Sequence, residues 1–181
     1  MGDVSITPTC AAVLAAFDEA YAAFLLAFRA APDDALPYVP EGDEYALGAL
    51  PIHLQDPLHN YIAQLDRMLA TDFASLDLNA NGAHDATLKQ QHLRLVAERP
   101  TGTDRPRILA ELEAAHQQAR HRLDALDDTT FRRTAPVIYT EGAEPYPTSA
   151  ADIAGWLTDH YREHEVQTQA ILADWQAREG W

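Results

Sequence analysis

The chain has 181 residues, 47% of them hydrophobic, and a formal net charge of -15 at pH 7. This length is sufficient for one domain with a substantial core, and the hydrophobic content argues against disorder. Such an acidic surface repels phosphate backbones and anionic lipid headgroups, which excludes nucleic acids and membranes as favoured partners. The sequence therefore predicts a single domain over residues 1–181 that acts on a small molecule.

Cysteine content and the N-terminal sequence indicate the compartment. Cys10 is the only cysteine, so no disulfide can form within the chain. Residues 1–9 lack the basic segment of a secretory signal, and the uncharged run 20–28 is shorter than the roughly 20 residues that span a bilayer. These features predict a cytoplasmic protein. Cys10 itself is expected to be a packing residue, since no neighbour in the sequence would lower its pKa.

The first two long helices are predicted over residues 8–31 and 45–69. Thr7 is placed to cap the first helix. In the second, Pro57 removes a backbone hydrogen bond to the carbonyl of His53. Pro51 leaves two alternatives, because it either interrupts this helix or lies in the first turn of a helix that starts near residue 50. Apolar side chains recur at steps of three and four in the first helix, at Val13, Phe17, Tyr21, Phe24 and Phe28.

The second half of the chain predicts two more long helices. Residues 86–97 form a weakly periodic short helix, and residues 106–126 carry the most regular heptad pattern. Residues 127–148 are expected to be a long loop with a short extended piece at 137–139. Its part 137–148 is expected to cover the end of the bundle from which a substrate would enter. The last helix, over 151–175, follows Ser149 as its cap. The predicted fold is all-α: a four-helix bundle with a short extra helix and a long loop before the last helix.

The last helix carries two histidines on its apolar stripe. His160 and His164 are four residues apart, so their imidazoles lie one turn apart and point inwards, a spacing that suits a metal ion. His53, near the apolar face of the second helix, is the expected third ligand, and His59 replaces it if the helix phase differs. Three neutral imidazoles leave a fourth position on Zn²⁺ open, and imidazole also suits Ni²⁺ and Fe²⁺.

A di-iron site is the alternative metal site. Glu113 and His116 form one Glu-x-x-His motif, whereas a carboxylate-bridged di-iron bundle needs two. His116 is therefore expected to be an interior histidine with a satisfied hydrogen bond. Four other histidines are expected at the surface or in connections: His59, His84, His92 and His121. Candidate partners that orient the ligands are Asp56, Asp159 and Glu163. The sequence does not place Tyr139, Tyr146 and Trp156 inside or outside the pocket.

Two motifs together resemble the DinB/YfiT-like superfamily. Residues 50–54 read Leu-Pro-Ile-His-Leu, and much later His160-x-x-x-His164 is followed by Gln167. Many members have Arg-Gly-Gln after the second histidine of the pair, and only the Gln agrees here. The resemblance implies a four-helix bundle in which the histidine of the second helix joins the pair on the last. It also implies a metal-dependent enzyme, with relatives that use low-molecular-weight thiols such as mycothiol or bacillithiol.

Two functions follow as hypotheses. The first is a divalent-metal-dependent thiol S-transferase or hydrolase with His53, His160 and His164 as metal ligands and zinc as the first expected ion. The second is a non-catalytic helical interaction protein with a vestigial metal site. A homodimer is expected in either case, because helical bundles present spare apolar stripes.

Overall fold

The computed structural model describes residues 8–179, and these are mostly helical. Six α-helices and three short strands are connected by 3-10 turns. In chain order the elements are α1 (Cys10–Ala30), α2 (Leu50–Ala70), β1 (Leu76–Asp77), α3 (Ala83–Ala97), α4 (Arg105–Asp124), α5 (Asp128–Arg132), β2 (Ala135–Ile138), β3 (Tyr146–Thr148) and α6 (Ala150–Glu179).

The four long helices enclose one core. Helix α1 packs mainly on α6 and also on α4, while α2 packs on α4 and on α6. Each helix contributes side chains spaced by three or four residues, which places them on one face. The largest fully buried side chains include Phe17, Phe24 and Phe28 of α1, Leu54 and Leu58 of α2, and Tyr161 of α6.

Local capping sets where two of these helices begin. Thr9 Oγ1 accepts a hydrogen bond from the Ala12 amide at 3.2 Å, so α1 starts at Cys10 rather than at residue 8. Thr7, the expected cap, lies outside the described residues. Ser149 and Asp152 form reciprocal bonds at the start of α6, with the Ser149 amide donating to Asp152 Oδ2 at 2.8 Å. The predicted role of Ser149 is therefore confirmed.

Helix α2 starts at Leu50, so the predicted start at residue 45 is wrong and the alternative with Pro51 in the first turn is right. Residues 47–49 form a separate 3-10 turn before it. Pro57 lies inside the helix. Because proline has no backbone N–H, the carbonyl of His53 lacks its usual partner one turn later.

The described residues are mostly helical, which agrees with the all-α prediction, but the predicted loop 127–148 needs correction. This segment contains α5, β2 and β3, and β2 also pairs in parallel with β1 to form a three-stranded sheet in the order β1-β2-β3. The extended piece expected at residues 137–139 overlaps β2. A parallel partner 61 residues away in sequence leaves no local signature, which is why the sequence does not predict the sheet.

Helix α1 is the one described helix that is long and apolar enough to cross a membrane, with a hydropathy of 1.7 over its most apolar window. The uncharged run 20–28 alone did not predict such a helix, because the apolar stretch of α1 also includes residues on its N-terminal side. Phe17, Phe24 and Phe28 are fully buried against the other helices. Packing within the domain therefore accounts for these three phenylalanines, and 33% of that window is buried in all.

Helix α3 is held to the rest of the domain by few contacts. Leu95 is its only buried residue and packs with Ala46 and Ala49. Polar contacts add to this anchor, among them Arg94 to Asp56 at 2.9 Å, Asn60 to Gln91 at 3.3 Å, and Tyr45 to His92 at 2.9 Å. A helix with so little buried surface opens at lower free energy than the helices of the core.

We expect the backbone amides of α3 to exchange with deuterium faster than those of α2, as measured by hydrogen-exchange mass spectrometry. Leu95→Ala removes the apolar anchor, so exchange in α3 rises by about tenfold or more. Leu93→Ala is the matched control, because Leu93 is 60% exposed and its loss leaves the exchange unchanged. Equal protection of α3 and α2 would contradict this description.

Candidate metal centre and adjoining cavity

Three histidines from two helices meet at one place between α2 and α6. Their ligand nitrogens all lie within 4.8 Å of one another, and they are His53 of α2 with His160 and His164 of α6. His53 Nε2 lies 3.1 Å from His160 Nε2. Nitrogen ligands on a tetrahedral zinc ion are separated by roughly 3.3 Å, given zinc–nitrogen bonds of about 2.0–2.1 Å. The closest pair therefore already has a separation suited to such an ion.

His164 provides the strongest sign that this cluster fits a metal ion. Its Nδ1–H donates to Gln167 Oε1 at 2.7 Å, and because that oxygen only accepts, the proton must be on Nδ1. Nε2 therefore carries a free lone pair, and it is the one fully enclosed side-chain nitrogen or oxygen within residues 8–179 that has no hydrogen-bond partner. An unpaired buried acceptor is costly, and coordination would satisfy it.

The cluster keeps its imidazoles uncharged. Burial, reinforced by His164 and His92, lowers the pKa of His53 to about 4. Burial, reinforced by His164 and His53, lowers the pKa of His160 to about 3. Burial also lowers the pKa of His164, against the opposing hydrogen bond to Gln167. Neutral imidazole is the form that binds metals, so all three rings are in the right protonation state at pH 7.

The acidic residues that were expected to orient the clustered histidines make no direct hydrogen bond to them. Glu163 Oε2 lies 3.7 Å from His160 Nδ1, too far for a direct hydrogen bond. Asp159 pairs with Arg162 at 3.1 Å, and Asp56 pairs with Arg94. Gln167 is thus the residue that orients a ligand directly, and its position three residues after His164 was the available signal in the sequence.

A cavity of about 590 Å³ opens beside His53 and His160, in the size range of small-molecule sites. One wall is α2, and the facing wall is α3, with Tyr139 at one side. Residues 137–148 were expected to cover the site, but only Tyr139 of that segment lines the cavity. His84 and His92, which were assigned to surface or connections, line it as well.

Tyr45 and His92 form a polar contact that the sequence analysis missed. The Tyr45 ring stacks on His53 with centroids 5.9 Å apart, and its hydroxyl lies 2.9 Å from His92 Nδ1. His92 Nε2 in turn lies 3.4 Å from Glu44. Residues 44 and 92 lie on either side of α2 in sequence, so no local pattern could reveal this contact.

The remaining candidate residues lie outside the cluster of three histidines. His59 is exposed, so it does not replace His53. His116 is 2% exposed and bonded to Asp18 at 3.2 Å and to the Tyr161 hydroxyl at 3.3 Å, as expected for a satisfied interior histidine. Glu113 is exposed, and the three histidines are the one group of metal-ligating side chains found among residues 8–179, so the di-iron alternative has no support.

Of the three aromatic residues that the sequence left unplaced, Tyr139 lines the cavity. Trp156 packs behind it at 6.1 Å between ring centroids, and also contacts Tyr61 at 5.6 Å. Tyr146 is 53% exposed and contacts Trp156 at 6.1 Å. These rings therefore support one wall of the cavity, with only Tyr139 and Tyr61 reaching it.

The lowered histidine pKa values predict that the metal-free protein loses stability in acid. The unfolded chain binds protons at the histidines near pH 6.5, whereas the native state takes them up only at about pH 4 (His53) and about pH 3 (His160). The stabilisation is therefore complete above pH 6.5 and declines as the pH falls towards 4, by on the order of a few kcal/mol. Denaturant unfolding of chelator-treated protein across this range measures the decline.

The double variant His53→Gln, His160→Gln is the control for this pH dependence, because it lacks both groups. Its free energy of unfolding should change less between pH 6.5 and 4 than that of the wild type. Parallel curves for the two proteins would show that other groups cause the acid sensitivity.

Comparison with known proteins agrees with this geometry. A family model described as the DinB superfamily matches residues 16–167, which include all three clustered histidines. Neither the curated proteins nor the solved structures provide a match. Because the matched region covers most of the 181 residues, the chain belongs to the DinB superfamily.

Proposed function

We propose that this chain is a divalent-metal-dependent enzyme whose metal is held by His53, His160 and His164. The observation that carries the proposal is the buried, unpartnered Nε2 of His164, which faces two further imidazoles whose ligand nitrogens lie within 4.8 Å. Zinc is the first expected ion, and nickel and iron are the alternatives that three imidazoles also accept. The four long helices would then form the four-helix bundle of the superfamily, with the metal between α2 and α6.

The residues of the chain would divide the work at this site. His53 and His160 would bind from the side of the cavity, and His164 from the buried side. Gln167 holds the His164 ring in the tautomer that leaves Nε2 free. When bound, a divalent ion supplies Lewis acidity, which lowers the pKa of a coordinated water or thiol towards 7. A three-histidine set leaves room for such a group, and the cavity beside it provides space for a substrate.

The reaction class that this arrangement suits is attack by an activated thiol or water on a small molecule. Thiol S-transfer and hydrolysis both need one open position on the metal and an adjoining pocket of a few hundred Å³. The superfamily resemblance favours a low-molecular-weight thiol as co-substrate. The only cysteine, Cys10, does not supply the nucleophile, since burial raises the pKa of its thiol.

The second candidate is a dimeric interaction protein with a vestigial site. Leu26 of α1 and Val166 of α6 are 76% and 64% exposed, although α1 and α6 pack on each other. Exposed apolar residues on two packed helices suit contact with a second copy, and a homodimer is compatible with both candidates. Metal binding separates them.

We expect protein purified without an affinity tag to contain close to one divalent ion per chain by elemental analysis. The double variant His160→Ala, His164→Ala removes two ligands and should lose the metal while its circular dichroism stays helical. His84→Ala is the matched control, because His84 lines the same cavity but lies outside the cluster, and it should retain the metal. Folded wild-type protein without metal would favour the interaction protein instead.

Gln167→Leu tests the orientation of His164. Without the acceptor for Nδ1–H, the ring is free to change tautomer, so metal affinity should fall about 10–100-fold in competition with a chromophoric chelator. Gln169→Leu is the control two residues away, since Gln169 bonds only to the carboxylate of Glu165 on the exposed face. Equal affinities in the two variants would remove Gln167 from the site.

A further inference from the structure

The wall of the cavity contains a buried amide whose oxygen has no partner. Gln64 of α2 is 3% exposed and lines the cavity. Its Nε2 lies 2.7 Å from the Tyr139 hydroxyl and 3.8 Å from the sulfur of Met68. Its Oε1 accepts no hydrogen bond from the described residues, and the side chain lies at the cavity rather than in the closed core.

A chain of hydrogen bonds fixes which end of this amide faces the cavity. The Thr148 hydroxyl donates to the Tyr146 carbonyl at 3.3 Å, which can only accept. Thr148 Oγ1 must then accept from the Tyr139 hydroxyl, 3.0 Å away. The Tyr139 hydroxyl donates its one hydrogen to Thr148, so it can only accept from Gln64. The atom of Gln64 that it contacts must therefore be Nε2–H. The oxygen is left for the cavity.

The geometry points to Gln64 as a specificity-determining residue that accepts a hydrogen bond from an N–H or O–H group of the substrate. Burial makes the preference strong, because a ligand without a donor would displace water from Oε1 and leave the oxygen unpaired. The bonds through Tyr139 and Thr148, which is fully buried, prevent the amide from turning to offer its NH₂ instead. This inference rests on the proposed function in that the same cavity adjoins the metal cluster.

The rest of the wall indicates an uncharged and largely apolar substrate. Apolar and aromatic side chains that line the cavity include Tyr61, Leu78 and Leu95. The carboxylate of Asp56 is neutralised by two bonds to Arg94, at 3.0 and 2.9 Å. Arg67 is exposed at the mouth and donates to the Asp77 carbonyl. Away from the metal cluster, the described lining therefore has no buried unpaired charge to hold an ionic group.

Indole and benzofuran provide a probe pair for this acceptor. They have the same two fused rings, but only indole has an N–H donor, and benzofuran, being less polar, would bind at least as well to a purely apolar wall. We expect the wild-type protein to bind indole about tenfold more tightly than benzofuran in NMR titrations. The titrations use both metal-free and zinc-loaded protein, with the metal content of each measured separately.

Three variants isolate the role of Gln64. Gln64→Met keeps the length of the side chain but has no amide oxygen, so the two affinities should become equal. Tyr139→Phe releases Nε2, lets the amide turn and should reduce the preference for indole. Gln91→Met, which changes an amide on the α3 wall of the same cavity, should keep the preference.

Equal affinity of the wild type for the two probes, no binding of either, or an unchanged preference in Gln64→Met would overturn the inference. The wild-type ratio and the Tyr139→Phe variant decide the matter even if Gln64→Met does not fold. If the wild-type protein proves unable to bind metal but still prefers indole, the proposed function is refuted and the role of Gln64 remains. Full metal binding without a preference would do the reverse.

Discussion

The contact between α2 and α6 is the constraint on which the candidate site depends. It brings three imidazoles into a partly buried space where none of them can carry a charge at low cost. His53 comes from the first turns of α2, while His160 and His164 lie 107 or more residues later in the middle of α6. A shift of either helix by one turn would separate the rings by about 5 Å and dissolve the cluster. The rest of the core therefore acts on the site by fixing this register.

The two sides of the cluster have different stability. On the side of the core, Tyr161 and the phenylalanines of α1 hold α6 in place through fully buried aromatic packing. On the side of the cavity, α3 closes the space with one buried leucine and a few polar contacts. The three clustered histidines thus lie on rigid elements, while a loosely held helix covers the adjoining cavity. This division suits a site that must keep its geometry and still admit a ligand.

Buried polar groups show where the structure has an unmet requirement. His116 is fully bonded to Asp18 and Tyr161 and behaves as a structural residue. His164 Nε2, by contrast, is fully buried without a partner among the described residues, and Gln64 Oε1 accepts no hydrogen bond from them at the wall of the cavity. In each case a hydrogen bond donated to a second residue determines which atom remains free. His164 donates to Gln167, and Gln64 donates to Tyr139. Hydrogen bonding away from the site thus determines what the site offers to a ligand.

The sequence by itself determined the long helices, the interior position of His116 and the three histidines of the cluster. These features depend on local spacing, since a period of three to four residues places side chains on one helical face, and proline and serine mark helix starts. The family motif adds the pairing of His53 with a distant His-x-x-x-His.

Only the tertiary structure decided the sheet, the wall formed by α3, and the roles of Gln64 and Tyr139. Strand β1 pairs with a strand about 60 residues away, and Gln64 meets Tyr139 across 75 residues. Neither contact leaves a local pattern, because pairing in space depends on how the helices pack and not on the spacing along any one of them. Whether an amide oxygen is free depends in turn on the direction of every bond in its chain, which no residue type reveals alone.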